Sequence, residues 1–358
     1  MNKCTLLIDG NWLLMSRYVM NKEAFLKENS DLEKDIAMQE CTNTMMHSIS
    51  YVVSRFEGII DNVILVCDGK SWRKDVQKPA SLEADYKGTR VKDEDIDYDR
   101  VYGSLKLLEE NITKRGFTVS HTFHAEGDDS IWFWKNYLNS KGCDCIIWTS
   151  DNDLKQLVSY EDGVFTLWYN DRYGVFIDKK FDTYDDELSM FMVDGKRANA
   201  NFLIENIQHQ AEQQIQYINP EDIIMEKIIC GDKSDNIKAV VRIVKNGKTY
   251  SVTPKMWNEV KEKMNIKTLD DFFADSNNII TKLREIKKFQ GTNLTFDDCL
   301  EQFEYNSKLV WLDESTIPQE VQDEIAQVQY FDNGEIDLLK INDTVIENKE
   351  EIEELLPF

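Results

Sequence analysis

Long apolar runs are missing from this sequence, and so is any regular arrangement of cysteines. No window approaches the roughly 18 apolar residues of a membrane-spanning helix, and the short apolar run near the start is interrupted by Asp9. The seven cysteines include no C-x-x-C pair and no Cys/His spacing typical of a zinc site. We therefore expect a soluble, unexported protein of the reducing cytoplasm, with no membrane partner.

Positive charge is also scarce, which by itself argues against a polyanionic partner. Asp and Glu number 66 against 42 Lys and Arg, for a formal net charge of −24, whereas nucleic-acid-binding proteins usually carry a basic surface. The charge is unevenly distributed. Residues 232–261 contain seven basic residues and three acidic ones, whereas residues 319–358 contain two basic and twelve acidic ones. Binding of a polyanion is therefore still open for the segment 232–261.

The length and the composition bound the domain organisation. With 358 residues, 42% of them hydrophobic, the chain can bury one large or two moderate cores. We predict an α/β region over residues 1–220 and a mainly helical region over residues 221–358. Residues 70–100 have many charges and little apolar periodicity, which indicates an exposed loop or arch. The Gln- and Asn-rich residues near 180–220 are interpreted as an insertion or linker.

Three apolar segments have the composition of buried strands, and each is followed at once by aspartate. TLLID ends at Asp9, NVILVCD ends at Asp68, and CDCIIWTSDND contains Asp151 and Asp153. Helix-compatible stretches such as residues 97–116 lie between them, and this alternation predicts a mostly parallel sheet flanked by helices. Sites in such sheets form beyond the carboxyl ends of the strands. One such aspartate alone would more often be a turn or cap residue, but three together predict an acidic site.

The segment HAEGDDSIWFWKNYL, which begins at His124, adds three more carboxylates in four positions: Glu126, Asp128 and Asp129. Acidic residues at a helix start can cap its free N–H groups, but one is enough for that. Two carboxylates about 4 Å apart repel by roughly 4 kcal/mol at an effective dielectric constant near 20. A dense acidic group therefore needs a bound cation or raised pKa values.

Nine carboxylates are candidates for a common acidic site. They follow the three strands, begin the helix after His124 or lie in the segment CGDKSDN: Asp9, Asp68, Glu126, Asp128, Asp129, Asp151, Asp153, Asp232 and Asp235. Oxygen ligands without His or Cys suit Mg²⁺ or Mn²⁺. Two such ions about 4 Å apart can bind both the attacking and the leaving oxygen of a phosphodiester.

The same segments, in order, resemble the motif series of the structure-specific 5′ nucleases, the flap endonuclease and 5′–3′ exonuclease family. They are IDGN, VCDGK followed by ADYKGTR, AEGDD, SDND and CGDKSDN, and they span residues 7–236. The late segment EYNSKLVWLDESTIPQEV is similar to the RNase H branch of that family in T-even-type phages. The resemblance implies a PIN-like core, a helical arch and a helix-turn-helix-type duplex-binding motif in the C-terminal region.

The resemblance also implies roles for the nine acids. Those that match the first metal site are Asp68, Glu126 and Asp128, with Asp9 acting through water. Those that match the second site are Asp151, Asp153 and Asp232, with Asp129 and Asp235 in support. The expected cofactor is Mg²⁺, bound as two ions, for which Mn²⁺ could substitute.

Basic and aromatic residues of the arch match the family's substrate contacts. Lys87 and Arg90 are expected to stabilise charge on the transferred phosphoryl group, and Tyr86 to stack on an unpaired base; a solvated loop is the alternative. The expected nucleic-acid contacts are Lys70, Arg73, Lys74, Tyr86, Lys87, Arg90, Lys245, Lys248 and Lys255. After GDKSDNI the cellular members carry a Gly-rich hairpin beside a monovalent ion, whereas this chain reads KAVVRIVKNGKTYSVTP. That ion and that hairpin geometry therefore stay open.

The activity implied is that of a Mg²⁺-dependent 5′–3′ exonuclease and flap endonuclease with RNase H activity. Its substrates would be branched DNA and RNA–DNA hybrids, and its task would be primer removal and lagging-strand processing in phage-type replication. We expect a monomer, with a single-stranded-DNA-binding protein or a sliding clamp as candidate partner. The tail EEIEELLPF could dock into such a clamp, although a solvated acidic terminus is the simpler interpretation.

Two alternatives belong to other functional classes. A catalytically inactive, structure-specific DNA-binding protein of the same fold would have lost metal ligands, whereas every motif acid is present here. A phosphatase-like hydrolase with Asp9 as nucleophile would want a second carboxylate two residues later, where this chain has Asn11.

Overall fold

The computed structural model describes residues 4–56, 59–82, 85–89, 92–180 and 215–332. Three sequence predictions therefore lie outside the described residues: the contact at Arg90, most of the insertion near 180–220, and the docking role of the C-terminal tail. Contacts within the chain divide it into two compact units. The first contains the residues up to Lys70, Asp93–Ile218 and those from Glu320 onwards, and the second contains Ser71–Lys92 and Asn219–Gln319. The division predicted near residue 220 stays a prediction.

The first unit is built on a sheet of eight strands, in the order β3-β2-β1-β4-β6-β7-β8, with β5 beside β6. Five of the strand pairs are parallel, and β6 pairs antiparallel with β5 and β7. The prediction of a mostly parallel sheet is confirmed. The strands are β1 Cys4–Asp9, β2 Asn62–Cys67, β3 Thr118–His121, β4 Asp144–Trp148, β5 Ser159–Glu161, β6 Val164–Asn170, β7 Gly174–Asp178 and β8 Ile215–Ile218.

The three strands predicted from the sequence, β2, β1 and β4, are neighbours inside the sheet and are almost fully buried. Every residue of β2 and β4 is buried, and in β1 only the terminal Asp9 is partly exposed. Strands buried on both faces need helices on both sides of the sheet, which the parallel crossovers supply. Because β3, β2, β1 and β4 are parallel neighbours, their carboxyl ends lie along one edge.

Helices cover the sheet of the first unit. They are α1 Gly10–Tyr18, α2 Asp31–Arg55, α3 Tyr98–Lys114, α4 Gly127–Ser140 and, from the last described segment, α10 Gln319–Ala326. The helix predicted over residues 97–116 corresponds to α3, and the segment after His124 forms α4. The long α2 begins with a capping box in which Ser30 and Glu33 bond each other's backbone N–H groups.

The second unit is mainly helical, as predicted for the C-terminal region. Its helices are α5 Pro220–Cys230, α6 Pro254–Met264, α7 Leu269–Ala274, α8 Ser276–Glu285 and α9 Phe296–Val310. Between α5 and α6 lies a hairpin of β9 Arg242–Lys245 and β10 Lys248–Ser251. Asn246 and Gly247 both have positive φ at its tip, which is typical of a type I′ turn.

Residues of the predicted arch contribute to the second unit. Among those described, Trp72–Asp75 forms a short 3₁₀ helix, and Leu82 and Tyr86 are buried with the unit's apolar core. Helix α3 begins only at Tyr98, so the helical character implied for the arch stays a prediction beyond this one turn. None of the helices in the described part of the chain is long and apolar enough to cross a bilayer.

Asp144 provides a pH test of the core of the first unit. It begins β4 with 1% of its surface exposed, and the N–H of Phe165 donates to its carboxylate at 3.0 Å. Burial raises the pKa of Asp144 from about 3.8 to about 7; the bond from Phe165 offsets part of this rise, and repulsion from Asp61 adds to it.

We expect Asp144→Asn to increase stability more at pH 8 than at pH 4. Between pH 3.8 and about 7, the folded protein binds a proton that the unfolded chain releases, so stability falls as pH rises through this window. Asparagine keeps an acceptor for Phe165 without the charge. Thermal unfolding should show a gain at pH 8 of at least about 1 kcal/mol, or about 2–4 °C, and little gain at pH 4. The exposed Asp162→Asn is the control, and an equal gain at both pH values for Asp144→Asn would contradict the prediction.

Candidate active site

The acids of the first unit follow the carboxyl ends of four adjacent strands. Asp9 is the last residue of β1, and Asp68 comes directly after β2. Glu126 lies five residues after the end of β3, and Asp151 three residues after the end of β4. The parallel register therefore brings these predicted residues to the same edge of the sheet, which is the edge where sites form in open α/β folds.

Asp9 is the most constrained of these acids. Its Oδ1 accepts a hydrogen bond from the N–H of Trp12 at 2.9 Å, which caps α1, and its Oδ2 accepts one from Thr149 Oγ1 at 2.7 Å. Burial raises the pKa of Asp9 to about 7; the two hydrogen bonds offset part of the rise, and the charges of Asp68 and Asp151 increase it. Asp68 and Asp151 therefore both lie close enough to Asp9 to repel its charge.

Asp68 connects the end of β2 to the start of α4. Its backbone N–H donates to Asn11 Oδ1 at 2.9 Å, and its own Oδ1 accepts from the N–H of Gly127 at 2.6 Å. Gly127 lies between Glu126 and Asp128, so Asp68 is held beside two further predicted ligands. Asn11, which replaces the second carboxylate of a phosphatase-like site, here positions the backbone of Asp68.

The three acids at the start of α4 differ in exposure and in hydrogen bonding. Glu126 precedes the first turn and is 5% exposed, and its N–H donates to Asp129 Oδ2 at 3.0 Å. Asp129 is fully buried and shapes the turn, which agrees with a supporting position, whereas Asp128 is partly exposed. Buried Ile131, Trp132 and Trp134 fix the helix that carries them.

Thr149, directly after β4, and Trp168 of β6 orient the backbone of Asp151, which in turn bonds Asp153. The N–H of Asp151 donates to Thr149 Oγ1 at 2.9 Å, and the N–H of Asp153 donates to Asp151 Oδ1 at 2.8 Å. Trp168 Nε1 donates to the carbonyl of Asp151 at 2.8 Å. The ammonium of Lys155 lies 4.4 Å from the centre of the same Trp168 ring, and burial lowers its pKa to about 8.

The second unit holds the last two predicted acids. Asp232 Oδ2 accepts from Lys227 Nζ at 2.6 Å, and its Oδ1 accepts from the N–H and the hydroxyl of Ser234. Burial would raise the pKa of Asp232, but the bonds from Lys227 and Ser234 outweigh it and lower the pKa to about 2. Asp235 Oδ2 accepts from the hydroxyl of Tyr86 at 3.2 Å. Metal ligation by these two acids stays a prediction.

The predicted substrate contacts fall into two groups. Lys70, Lys74, Lys245, Lys248 and Lys255 are exposed, as a phosphate contact requires. Tyr86 is 7% exposed, so its ring is not available to a base in this conformation, and its stacking role stays a prediction. Lys87 has a φ of 54°, its N–H donates to the carbonyl of Asp235, and its ammonium lies 4.9 Å from the centre of the Tyr86 ring.

Arg73 is the prediction that the structure corrects. It is 2% exposed, its Nε donates to the carbonyl of Leu309 at 3.0 Å, and its guanidinium lies 4.7 Å from the centre of the Trp72 ring. A buried guanidinium needs such partners, and one held in this way cannot reach a phosphate. Arg73 therefore stabilises the packing of the second unit.

A model of the 5′–3′ exonuclease N-terminal, resolvase-like domain matches residues 4–187 of the sequence. This match covers more than half of the chain. The chain belongs to the 5′–3′ exonuclease family. No curated protein matches it in sequence.

Solved structures with a similar fold come from bacteriophage T5. A T5 protein co-crystallized with metal ions and the T5 5′-exonuclease with bound divalent zinc each share 16% sequence identity with this chain, at a TM-score of 0.54. Each of these matches covers 94% of this chain and 99% of the other. A T5 flap endonuclease variant in a complex with DNA and metal ions shares 17% identity at a TM-score of 0.52, with 95% and 99% covered. At this identity the likeness establishes the fold.

The acidic residues at the carboxyl edge of the sheet suit a hard divalent cation. Their donors are all carboxylate oxygens. The charges of Asp68 and Asp151 add to the rise that burial causes in the pKa of Asp9, and a bound cation would oppose both effects. Across the described ranges, no three His, Cys, Asp or Glu side chains already surround one point as metal ligands do. Asp68, Glu126, Asp128, Asp151 and Asp153 stay the predicted ligands of such an ion.

Two residues that support the acids are absent from the predicted set. Thr149 bonds both Asp9 and Asp151, and Asn11 bonds Asp68. Each lies two positions from a strand-end aspartate, so proximity to the motifs is the one signal in the sequence that could identify them.

We expect Thr149→Val to weaken divalent-ion binding by about 10- to 100-fold, the usual range for groups that orient metal ligands. The substitution keeps the shape of this fully buried side chain but removes the bonds to Asp9 and Asp151. Calorimetric titration with Mn²⁺ measures the affinity, and Thr149→Ser, which keeps the hydroxyl, should bind almost as the unaltered protein does. Wild-type affinity in a folded Thr149→Val protein would exclude this role.

Proposed function

We propose that this member of the 5′–3′ exonuclease family is a Mg²⁺-dependent 5′ nuclease that cuts branched DNA and RNA–DNA hybrids. The observation that carries the proposal is that Asp9 is buried at the carboxyl edge of the sheet beside further carboxylates: burial raises its pKa to about 7, and the charges of Asp68 and Asp151 add to the rise. Such a charge-rich edge is unfavourable for a structural surface and useful for a cation site. Mn²⁺ is expected to substitute for Mg²⁺ because the donors are all carboxylate oxygens.

The chain's own residues suit phosphodiester hydrolysis by in-line attack of water. A pair of divalent ions, when bound, would polarise the phosphate and lower the pKa of the attacking water. Asp68, Glu126 and Asp128 are proposed to hold the first ion, with Asp9 acting through water. Asp151 and Asp153 are proposed to hold the second, together with Asp232 of the second unit.

Two further acids and several basic or aromatic residues have proposed roles beside the metal ligands. Asp129 and Asp235 are proposed to support the first and the second acidic group; Asp129 accepts from the N–H of Glu126, and Asp235 accepts from the hydroxyl of Tyr86. Lys87, Arg90 and Tyr86 are proposed to grip the substrate strand near the scissile phosphate. The exposed lysines Lys70 and Lys74 are proposed to contact phosphates of the substrate.

The biological task that fits this activity is primer removal and flap processing on the lagging strand in phage-type replication. The protein would act as a monomer in the cytoplasm, that of the host if a phage encodes it. A single-stranded-DNA-binding protein or a sliding clamp is the proposed class of partner. The alternative, an inactive DNA-binding protein of the same fold, is disfavoured because the acids of the edge are intact and oriented.

Cleavage of labelled substrates tests the proposal directly. A 5′-labelled flap and a labelled RNA primer on DNA should both be cut in Mg²⁺, and neither should be cut in chelator. We expect Asp151→Ala to reduce cleavage at least about 10³-fold, because loss of a metal ligand removes several kcal/mol of transition-state stabilisation. Binding of the flap in chelator should change little.

Glu40→Ala, which removes an exposed carboxylate from α2, is the matched control and should cut normally. Absence of cleavage by the unaltered protein on both substrates would refute the nuclease. Equal loss of cleavage and binding in Asp151→Ala would instead assign Asp151 a structural role. Cutting of the flap but not of the RNA primer would retain the nuclease and remove the RNase H activity from the proposal.

The β9–β10 hairpin is proposed to contact the duplex phosphates. Lys245 and Lys248 pair across the hairpin and are exposed, and Val244 is 67% exposed beside them. Its two-residue turn of Asn246 and Gly247 stands where the cellular members of the family carry a Gly-rich hairpin.

We expect the double variant Lys245→Ala, Lys248→Ala to bind duplex-containing substrate more weakly and with less salt dependence. The slope of log K against log salt should become shallower by about 1 for each phosphate that the hairpin no longer neutralises. Binding in chelator at several salt concentrations measures the slope. The double variant Lys263→Ala, Lys267→Ala removes the same charge from exposed positions after the hairpin. Identical slopes for the two double variants would remove the hairpin from the interface.

A further inference from the structure

The loop between β3 and α4 carries part of the proposed metal site on a short connection whose two ends are buried and whose middle is exposed. It comprises residues 122–126 and ends at Glu126. On one side it is bonded to the end of β2, because Gly69 N–H donates to the carbonyl of Ala125 at 2.8 Å and Lys70 N–H donates to that of Phe123 at 2.6 Å. The approach is so close that a Cβ on Gly69 would lie 2.0 Å from the carbonyl oxygen of Thr122.

The middle of this loop gains little from burial. Phe123 is 67% exposed and His124 is also exposed. Apolar burial, which fixes most of the first unit, therefore does not hold the loop at these two positions. Polar contacts must define its course.

Glu324 of α10, about 200 positions later in the chain, supplies the contacts to the N–H groups of the loop. The N–H groups of Phe123 and His124 both donate to its Oε1, the second at 3.4 Å, and His124 Nδ1 lies 2.9 Å from its Oε2. Burial would raise the pKa of Glu324, but the bonds from the His124 side chain and from the two N–H groups outweigh it and lower the pKa. Glu324 thus presents an ionised carboxylate to three donors of the loop.

The position of Glu324 is itself fixed by the segment that follows it. Tyr330 stacks on Trp134 at 5.6 Å between ring centres and meets Tyr137 at 5.7 Å, both of which belong to α4. Asn62 Nδ2 donates to the Tyr330 hydroxyl and to the carbonyl of Phe331, and Phe331 N–H donates to Thr118 Oγ1. The segment 324–331 therefore contacts α4 at Trp134 and Tyr137 and also contacts the loop before this helix.

We infer that Glu324 is a positioning residue that holds the β3–α4 loop so that Glu126 and Asp128 stay beside Asp68. The inference rests on the proposed function, since it assigns Glu324 to the first metal site of that nuclease. Glu324 touches neither the ion nor the substrate in this role. It limits the movement of the backbone from which two ligands project, in the way that outer groups orient metal ligands.

The test is metal affinity together with loop exchange in Glu324→Ala. Calorimetric titration with Mn²⁺ should show binding weakened by about 10- to 100-fold, and the N–H groups of Phe123 and His124 should exchange with deuterium faster. Cleavage should recover at high Mg²⁺, because the ligands themselves are intact. Flap binding in chelator should not change.

Two further variants make the result specific. Glu324→Gln keeps an acceptor for the loop N–H groups and should retain most of the Mn²⁺ affinity. Glu320→Ala removes an exposed carboxylate from the same helix and should bind Mn²⁺ as the unaltered protein does. If Glu324→Ala fails to fold, the test uses Glu324→Gln and the unaltered protein. Near-normal Mn²⁺ affinity in Glu324→Gln, together with slow deuterium exchange of the Phe123 and His124 N–H groups, supports the role. Fast exchange of these two N–H groups in the unaltered protein overturns it.

The outcomes separate this inference from the proposed function. Wild-type Mn²⁺ affinity in folded Glu324→Ala overturns the positioning role, whatever the cleavage assay shows. If the unaltered protein binds Mn²⁺ but cuts neither substrate, the nuclease fails while the effect of Glu324 on metal affinity can still be measured.

Discussion

The burial of Asp9 beside other carboxylates, at the carboxyl edge of the parallel sheet, is the constraint on which the rest of the site depends. Burial raises the pKa of Asp9 to about 7, and the charges of Asp68 and Asp151 add to the rise. A fold tolerates such a cluster only if other interactions hold the backbone in place. Here the buried strands β1, β2 and β4 provide that support, because every residue of β2 and β4 is excluded from solvent. The sheet thus acts as a rigid frame on which a locally unfavourable charge distribution is maintained.

Neutral hydrogen-bonding groups orient the carboxylates at this edge of the sheet. Thr149 joins Asp9 to the backbone of Asp151, and Asn11 holds Asp68 from the first turn of α1. The N–H of Gly127 at the start of α4 adds a donor to Asp68, at the helix end where the dipole favours negative charge. Asp9 and Asp68 therefore accept hydrogen bonds from groups that carry no formal charge, which leaves their negative charge available to a cation.

Local patterns in the sequence were sufficient for the parts of the fold that are defined locally. Strands that end in Asp9 and Asp68, and the acidic start of α4, follow from runs of apolar residues beside turn and cap residues. The long α2 was not predicted, although Met45, Ile49 and Val52 on its buried face recur at helical spacing; here a local signal was present and was not used. Arg73 was misassigned for a different reason. Its partner, the carbonyl of Leu309, is 236 positions away, and a distant contact of this kind leaves no local pattern.

The connectivity of the first unit has a consequence for biosynthesis. His124 and Glu324 lie 200 positions apart, and Asn62 bonds Tyr330 across 268 positions. A ribosome adds about 5–20 residues per second, so the β3–α4 loop waits about 10–40 s after its own synthesis for its last anchor. The sheet and α4 can form during that interval, but the loop acquires its hydrogen bonds to Glu324 only after that residue has been made. The nascent protein is thus expected to leave the middle of the loop without these bonds until translation has passed Glu324.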